Sequence, residues 1–206
     1  MKRSTFETWK QENLPIIESI RSAAHLLHEQ VGQRYDSIHP YGLHLDMVTE
    51  AVLQYVHLVC EDSDELLAII FGAYFHDSIE DARLTYNDVM QKARQSCGLS
   101  EGQAFIAAEI VYALTNEKGR TRAERASEKY YEGIRTTPYA PLIKLADRIA
   151  NMSYSAQNES GCNQAMRKIY REELTHFLAS ISTSTQDARC IIPAAMVEHL
   201  KHLAQD

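Results

Sequence analysis

The sequence is short of glycine and proline, with eight and five in 206 residues. Few sharp turns are therefore available, which works against a sandwich or barrel of many short strands and favours helices. Cysteine is scarce too. Cys60, Cys97, Cys162 and Cys190 are scattered, and no two form a CxxC pair. That spacing, without a signal-like start, points to reduced thiols rather than a disulfide framework. No run of about 18 apolar residues occurs, so no transmembrane helix is expected. Met1-Lys2-Arg3-Ser4 leads straight into an amphipathic stretch, with no hydrophobic run of secretory length. A cytoplasmic protein is expected. Basic residues are also outnumbered: 21 Lys and Arg against 28 Asp and Glu give a formal net charge of −7. Non-specific nucleic-acid binding needs a basic footprint, so it is not expected as the main activity. A small anionic substrate stays open, because a metal ion and a few local cations reverse the potential inside a cleft.

What is present is ordinary globular material, 45% hydrophobic and 24% charged. The chain is long enough for one substantial domain, expected over residues 1–206 with a core over about 20–180 and a last helix over about 188–204. The apolar spacing predicts an all-α bundle of about eight to ten helices. Leu14, Ile17, Ile20, Ala24 and Leu27 place a helix within residues 5–30, with Pro15 marking its start or a kink. Residues 32–41 read as a loop. A helix over 44–59 carries Val48, Val52, Val56 and Val59 on one face. Residues 66–74 are almost uniformly apolar, as in a buried central helix. Further helices are predicted over 85–95 (capped by Thr85), 101–114, 123–133, 136–155 and 163–180. Loops are predicted over 115–121, 156–161 and 182–187.

The densest chemistry is the string His76-Asp77-Ser78-Ile79-Glu80-Asp81. On a helix, His76 and Glu80 would share one face, as would Asp77 and Asp81. Such a crowd of carboxylates needs compensation, either by a divalent cation or by plain solvation. Asp147 sits in an apolar run (Leu142, Ile143, Leu145, Ala146, Ile149), where an unpaired carboxylate is unexpected. It is either salt-bridged or a ligand, and Asn151 follows one turn later on the same face. His44 stands at a helix start, where a histidine is a cap, a surface residue or a ligand. Together His44, His76, Asp77 and Asp147 make a nitrogen–oxygen set without thiolate. It suits Mn2+, Fe2+, Zn2+ or Mg2+ with positions open for water and substrate. A metal so held activates water near neutral pH and polarises a phosphoryl oxygen. His25 and His28, and His199 and His202 on the last helix, read instead as surface or boundary residues.

The order His…His-Asp…Asp resembles that of the HD phosphohydrolase superfamily. HDSIEDARLTYNDV, from His76 to Val89, is similar to the HDxxED(T)xxTxxDI segment of RelA/SpoT-type hydrolases. LIKLADRIANM, from Leu142 to Met152, is similar to their VKLADRxxNM segment. LTNEKGRTRAER, from Leu114 to Arg125, resembles the VTDDK…ER stretch of the small stand-alone hydrolases, the metazoan SpoT homologues included. Tyr41-Gly42-Leu43-His44 fits the YIxHPxxVA element, with Val48 in the valine position. The resemblance covers about residues 20–155 and implies a stand-alone alarmone hydrolase. It implies metal ligation by His44, His76, Asp77 and Asp147, usually of Mn2+. Glu80 and Asp81 would orient or deprotonate the attacking water and handle the leaving group. Attack at the 3'-linked phosphorus of guanosine 3',5'-bispyrophosphate would release pyrophosphate. Arg148, Asn151 and Tyr154 would lie by the nucleotide.

Two departures bear on substrate. Leu45 replaces the proline after the first histidine. The family usually carries two basic residues some eight or nine positions before that histidine. Here Tyr35 and Asp36 hold those places and Arg34 stands one step further off. Arg34 and, in the polar loop, Lys118 with Arg120 are the substrate contacts expected in their stead. A small-molecule nucleotide is the expected partner, with no nucleic acid and no membrane. The competing readings keep the site and change the substrate, to NADPH or a nucleoside monophosphate, or make the chain a non-catalytic nucleotide binder or antitoxin partner.

Overall fold

Asn13 breaks the helix expected over residues 5–30 into two. Helix α1 (Arg3–Glu12) ends there, with the Asn13 side-chain amide donating to the Trp9 carbonyl at 2.8 Å. Helix α2 (Leu14–Gln30) then begins with Pro15 in its first turn, where a missing N–H leaves no bond unmade. The structure, a computed structural model, describes residues 1–157, 161–183 and 187–205, and within them all side chains except those of residues 123, 161 and 162. The loops expected over 156–161 and 182–187 fall partly outside the described residues.

The chain continues through α3 (Gly42–Tyr55), α4 (Leu66–Phe75), α5 (Tyr86–Gln91), α6 (Glu101–Leu114) and α7 (Arg122–Arg125). It ends with α8 (Glu128–Thr136), α9 (Ala140–Gln157), α10 (Gly161–Ile181) and α11 (Ala194–Gln205). The fold is all-α, as expected. One correction falls in the loop before α3: β1 (Arg34–Tyr35) pairs antiparallel with β2 (His39–Pro40) as a small hairpin. Its turn puts Asp36 and Ser37 at φ 50° and 63°, a left-handed region that asparagine and aspartate tolerate better than most side chains.

Local signals explain the other boundaries. Thr85 and Asp88 form a reciprocal capping box at the start of α5, and Ser100 and Gln103 form another on α6. Beyond α5, residues Lys92–Ser96 make a π-helical turn. The charged helix expected over 123–133 is divided, because the Ser127 hydroxyl accepts from Tyr130 N–H and caps a new helix. Helix α11 starts at Ala194 rather than about 188, since Pro193 disfavours helical backbone at the residue before it. Residues Ala188–Cys190 form only a single 3-10 turn.

All ten residues of α4 are buried, which is why its sequence shows no polar face. It packs on α2, α3 and α6, while α9 packs on α3, α8, α10 and α11. Burying each large apolar side chain contributes roughly 1.5–3 kcal/mol, so this double core dominates the stabilisation. Gly72 permits the α4–α6 contact: a Cβ there would lie 2.7 Å from Ile110 Cγ2. Cys60, Cys97 and Cys190 are free and buried; the side chain of Cys162 lies outside the described residues. Among the described residues no helix is long and apolar enough to cross a membrane.

This packing positions the chemistry. Helix α3 lies between α4 and α9. His44 enters from the first turn of α3, the acidic string leaves the end of α4, and Asp147 projects from the middle of α9.

Candidate active site

Helix α4 stops at Phe75, so the string from His76 to Asp81 is a series of turns rather than a helix. The His76 ring itself helps to end the helix. Its Nδ1–H donates to the Ala73 carbonyl at 2.8 Å, satisfying a terminal acceptor. Two turn bonds remain, from Ser78 N–H to Phe75 O at 2.9 Å and from Asp81 N–H to Asp77 O at 2.8 Å, before the chain turns through Arg83 at φ 58°.

Three of the four expected ligands converge. His76 Nε2 lies 2.9 Å from Asp77 Oδ2, and His44 Nε2 lies 3.7 Å from the same oxygen. The ligand atoms of His44, His76 and Asp77 all fall within 4.8 Å of one another. Asp147 borders this group, with Oδ1 3.5 Å from His44 Nε2, but Lys144 and Asn151 also hold it. Lys144 Nζ is 3.1 Å from Oδ2, and Asn151 Nδ2 donates to Oδ1 at 2.6 Å.

The donor set suits a divalent cation. Because His76 Nδ1 gives its hydrogen to a backbone carbonyl, neutral His76 leaves its Nε2 lone pair facing Asp77, in the manner of metal-ligating histidines. That nitrogen is buried, with Asp77 Oδ2 at 2.9 Å. Burial lowers the pKa of His44, keeping its imidazole neutral and able to donate a lone pair. For His76 burial acts the same way, but the Asp77 carboxylate outweighs it and raises the pKa to about 9. Asp77 is held well below the usual carboxylate range: burial opposes this, and His76, His44 and Tyr41 overcome it.

Each acidic side chain has its own holder. Tyr41 donates to Asp77, Gln33 Nε2 donates to Asp81 Oδ2 at 3.1 Å, and Asn116 Nδ2 donates to Glu80 at 2.9 Å. Burial, followed by the nearby Asp77 charge, pushes Asp81 up to about 6. None of these holders was singled out as a site residue from the sequence, although Tyr41 and Asn116 both lie within the motif segments.

Tyr41, Asp77, Glu80, Asp81, Asn116 and Asp147 line a cavity of about 800 Å³. Arg122, Arg125, Lys144 and Arg148 line it as well. Arg148 is buried, stacked 4.5 Å from the Tyr170 ring centre and 4.1 Å from that of Phe177, with Glu173 at 3.2 Å. Asn151 lines the cavity too and accepts from the Tyr35 hydroxyl at 3.0 Å.

Arg34, Lys118 and Tyr154 stand apart from the cavity wall. Arg34 is exposed on β1 and Lys118 is exposed in the loop after α6. Tyr154 is buried, with its hydroxyl donating to Asp36 Oδ2 at 2.9 Å. The cations that do reach the cavity from this part of the chain are Arg122 and Arg125, neither of which stands out in the sequence as a substrate contact.

No family model matches the chain, and no curated protein matches it in sequence. Among solved structures, it is similar to a metazoan ortholog of SpoT that hydrolyzes ppGpp and plays a role in starvation responses. The two are 20% identical, with a TM-score of 0.63 over 92% of this chain and 94% of the other. This chain has the fold of that ppGpp hydrolase. Its elements therefore follow the all-α architecture that the motifs implied.

Proposed function

We propose that the chain is a metal-dependent phosphohydrolase of the HD type that removes pyrophosphate from the 3' position of guanosine 3',5'-bispyrophosphate. The observation that carries the reading is the cluster of His44, His76 and Asp77, whose Asp77 lines one cavity with Glu80, Asp81 and Asp147. The shared fold with a ppGpp hydrolase and the HDxxED and KLADRxxN resemblances support it. His44, His76, Asp77 and Asp147 would hold the ion, and a Mn2+ ion is the choice the resemblance favours. When bound, a divalent ion there would acidify water and polarise a phosphoryl oxygen.

The remaining work falls to side chains. Glu80 and Asp81 flank the string's outer end and serve as the proton-handling pair. One accepts the proton of the attacking water and the other returns a proton to the 3'-oxygen as the phosphorus–oxygen bond breaks. The products are GDP and pyrophosphate. Arg122, Arg125 and Arg148 offset the carboxylates and draw a phosphate-rich substrate into an otherwise acidic protein. Asn151 borders the nucleotide.

A second reading keeps this chemistry and changes the substrate to NADPH or a nucleoside monophosphate. It is favoured by the hairpin, where Tyr35 and Asp36 stand in place of basic residues and Asp36 accepts from Tyr154 and Asn163. Chelation followed by Mn2+ restoration, with alarmone hydrolysis as readout, tests the leading reading. Activity should vanish and return; hydrolysis indifferent to chelation contradicts it.

A further inference from the structure

Glu80 is the exposed member of the acidic string, and among the described residues no cation pairs with it. Its carboxylate is held by Asn116 instead, in the loop after α6. The Asn116 Nδ2 donates to Oε2 at 2.9 Å and Oε1 at 3.1 Å, and its backbone N–H reaches Oε2 at 3.5 Å. The loop that presents Asn116 is itself anchored. The Thr115 hydroxyl donates to the Val111 carbonyl at 2.9 Å, and the buried Tyr130 hydroxyl donates to the Leu114 carbonyl at 3.1 Å. On the other side Glu117 N–H donates to the Arg125 carbonyl at 3.2 Å, and Lys129 pairs with the Glu117 carboxylate at 3.0 Å.

We propose that Asn116 is a positioning residue for the reaction, fixing the Glu80 carboxylate at the cavity wall where it acts on water. The inference rests on the hydrolase reading above. A glutamate on a surface turn samples many rotamers, and hydrogen bonds to an ionised carboxylate are strong enough to select one. An amide suits this task because it donates without adding charge. A lysine or arginine in its place would neutralise Glu80 and weaken it as a base. Both Glu80 and Asn116 line the cavity that Asp77 and Asp147 also line, so the clamp holds the carboxylate in the wall those two residues share.

The test compares wild type, Asn116→Ala, Glu80→Gln and the double variant in steady-state alarmone hydrolysis with Mn2+. Asn116→Ala should lower kcat by about tenfold or more while KM stays within about twofold. Mn2+ binding, measured by titration calorimetry, should be unchanged. In the double variant the Asn116 change should add nothing to the Glu80→Gln loss. A second variant guards against a folding defect, which melting curves would reveal. Asn116→Asp keeps the size but sets a carboxylate against a carboxylate, so the acid limb of the kcat–pH profile should move upward. Wild-type kcat in Asn116→Ala beside a slow Glu80→Gln overturns the inference and leaves the hydrolase reading intact. Losses that add in full overturn it too. A fast Glu80→Gln overturns the role of Glu80 itself.

Discussion

The Tyr41 hydroxyl donates to Asp77 Oδ2 across 2.5 Å, and that same oxygen lies 2.9 Å from His76 Nε2 and 3.7 Å from His44 Nε2. One carboxylate oxygen thus gathers a phenol and an imidazole from the start of α3 and the imidazole of its own neighbour, His76. Burial and the Asp77 charge raise the Tyr41 pKa, so the phenol keeps its proton and remains a donor. Behind it, His28 stacks on the ring with centroids 4.6 Å apart.

Removing that donor should loosen the metal group without unfolding the protein. Tyr41→Phe preserves the ring and its stack on His28 but leaves Asp77 Oδ2 without its phenolic partner. Loss of such an outer partner weakens metal binding by about tenfold or more, which competition with a chelating dye would register. Unchanged Mn2+ affinity would show that Tyr41 is not part of the ligand support.

Substitution inside the string should separate binding from chemistry. Asp77→Ala is expected to abolish both metal content and turnover. Glu80→Ala should retain metal, read by elemental analysis, and lose about 100-fold or more in rate. Glu80→Ala at full rate would remove Glu80 from the mechanism.

The basic wall of the cavity makes a different prediction. Among the described residues the Arg125 guanidinium forms no ion pair, whereas Arg122 pairs with Glu173 at 2.8 Å. Arg125→Ala should therefore raise KM for the alarmone several-fold with little change in kcat, the signature of lost ground-state binding. A fall in kcat at constant KM would place Arg125 in the chemistry instead.

Stability should depend on pH through His28, which is 1% exposed and, among the described residues, has no hydrogen-bond partner at either ring nitrogen. Burial lowers its pKa from 6.5 to about 4. Between these values the unfolded chain takes up a proton that the folded chain refuses, so stability falls as the pH drops through that window. His28→Phe keeps the stack on Tyr41 and removes the titration. Its melting temperature should fall less between pH values of about 7 and about 5 than that of wild type. Identical shifts in the two proteins would show that His28 does not set this dependence.

The sequence was most legible where composition and local chemistry agree. Helix α4 followed from an unbroken apolar run, the start of α5 from Thr85, and the His/Asp group from two motifs of unusual residue content. The hairpin before α3 was hidden because two-residue strands leave no alternation to detect, and its turn uses Asp36 and Ser37 at positive φ where glycine is the usual signal. The unwinding of the string after Phe75 was equally hidden. It depends on the His76 ring capping a carbonyl, which helical spacing does not encode. His28 was expected at the surface or its boundary but is buried, with its ring stacked on Tyr41. Arg122 and Arg125 escaped notice because a charged segment looks solvated until tertiary packing turns one side of it toward a cavity.

The central claim is the identity of the bond cleaved. Purified protein with Mn2+ should be offered guanosine 3',5'-bispyrophosphate beside NADPH and GMP, with Asp77→Ala as the blank and products resolved by ion exchange. The account predicts GDP and pyrophosphate from the alarmone with wild type alone. Inorganic phosphate released from NADPH or GMP, with the alarmone untouched, would contradict it.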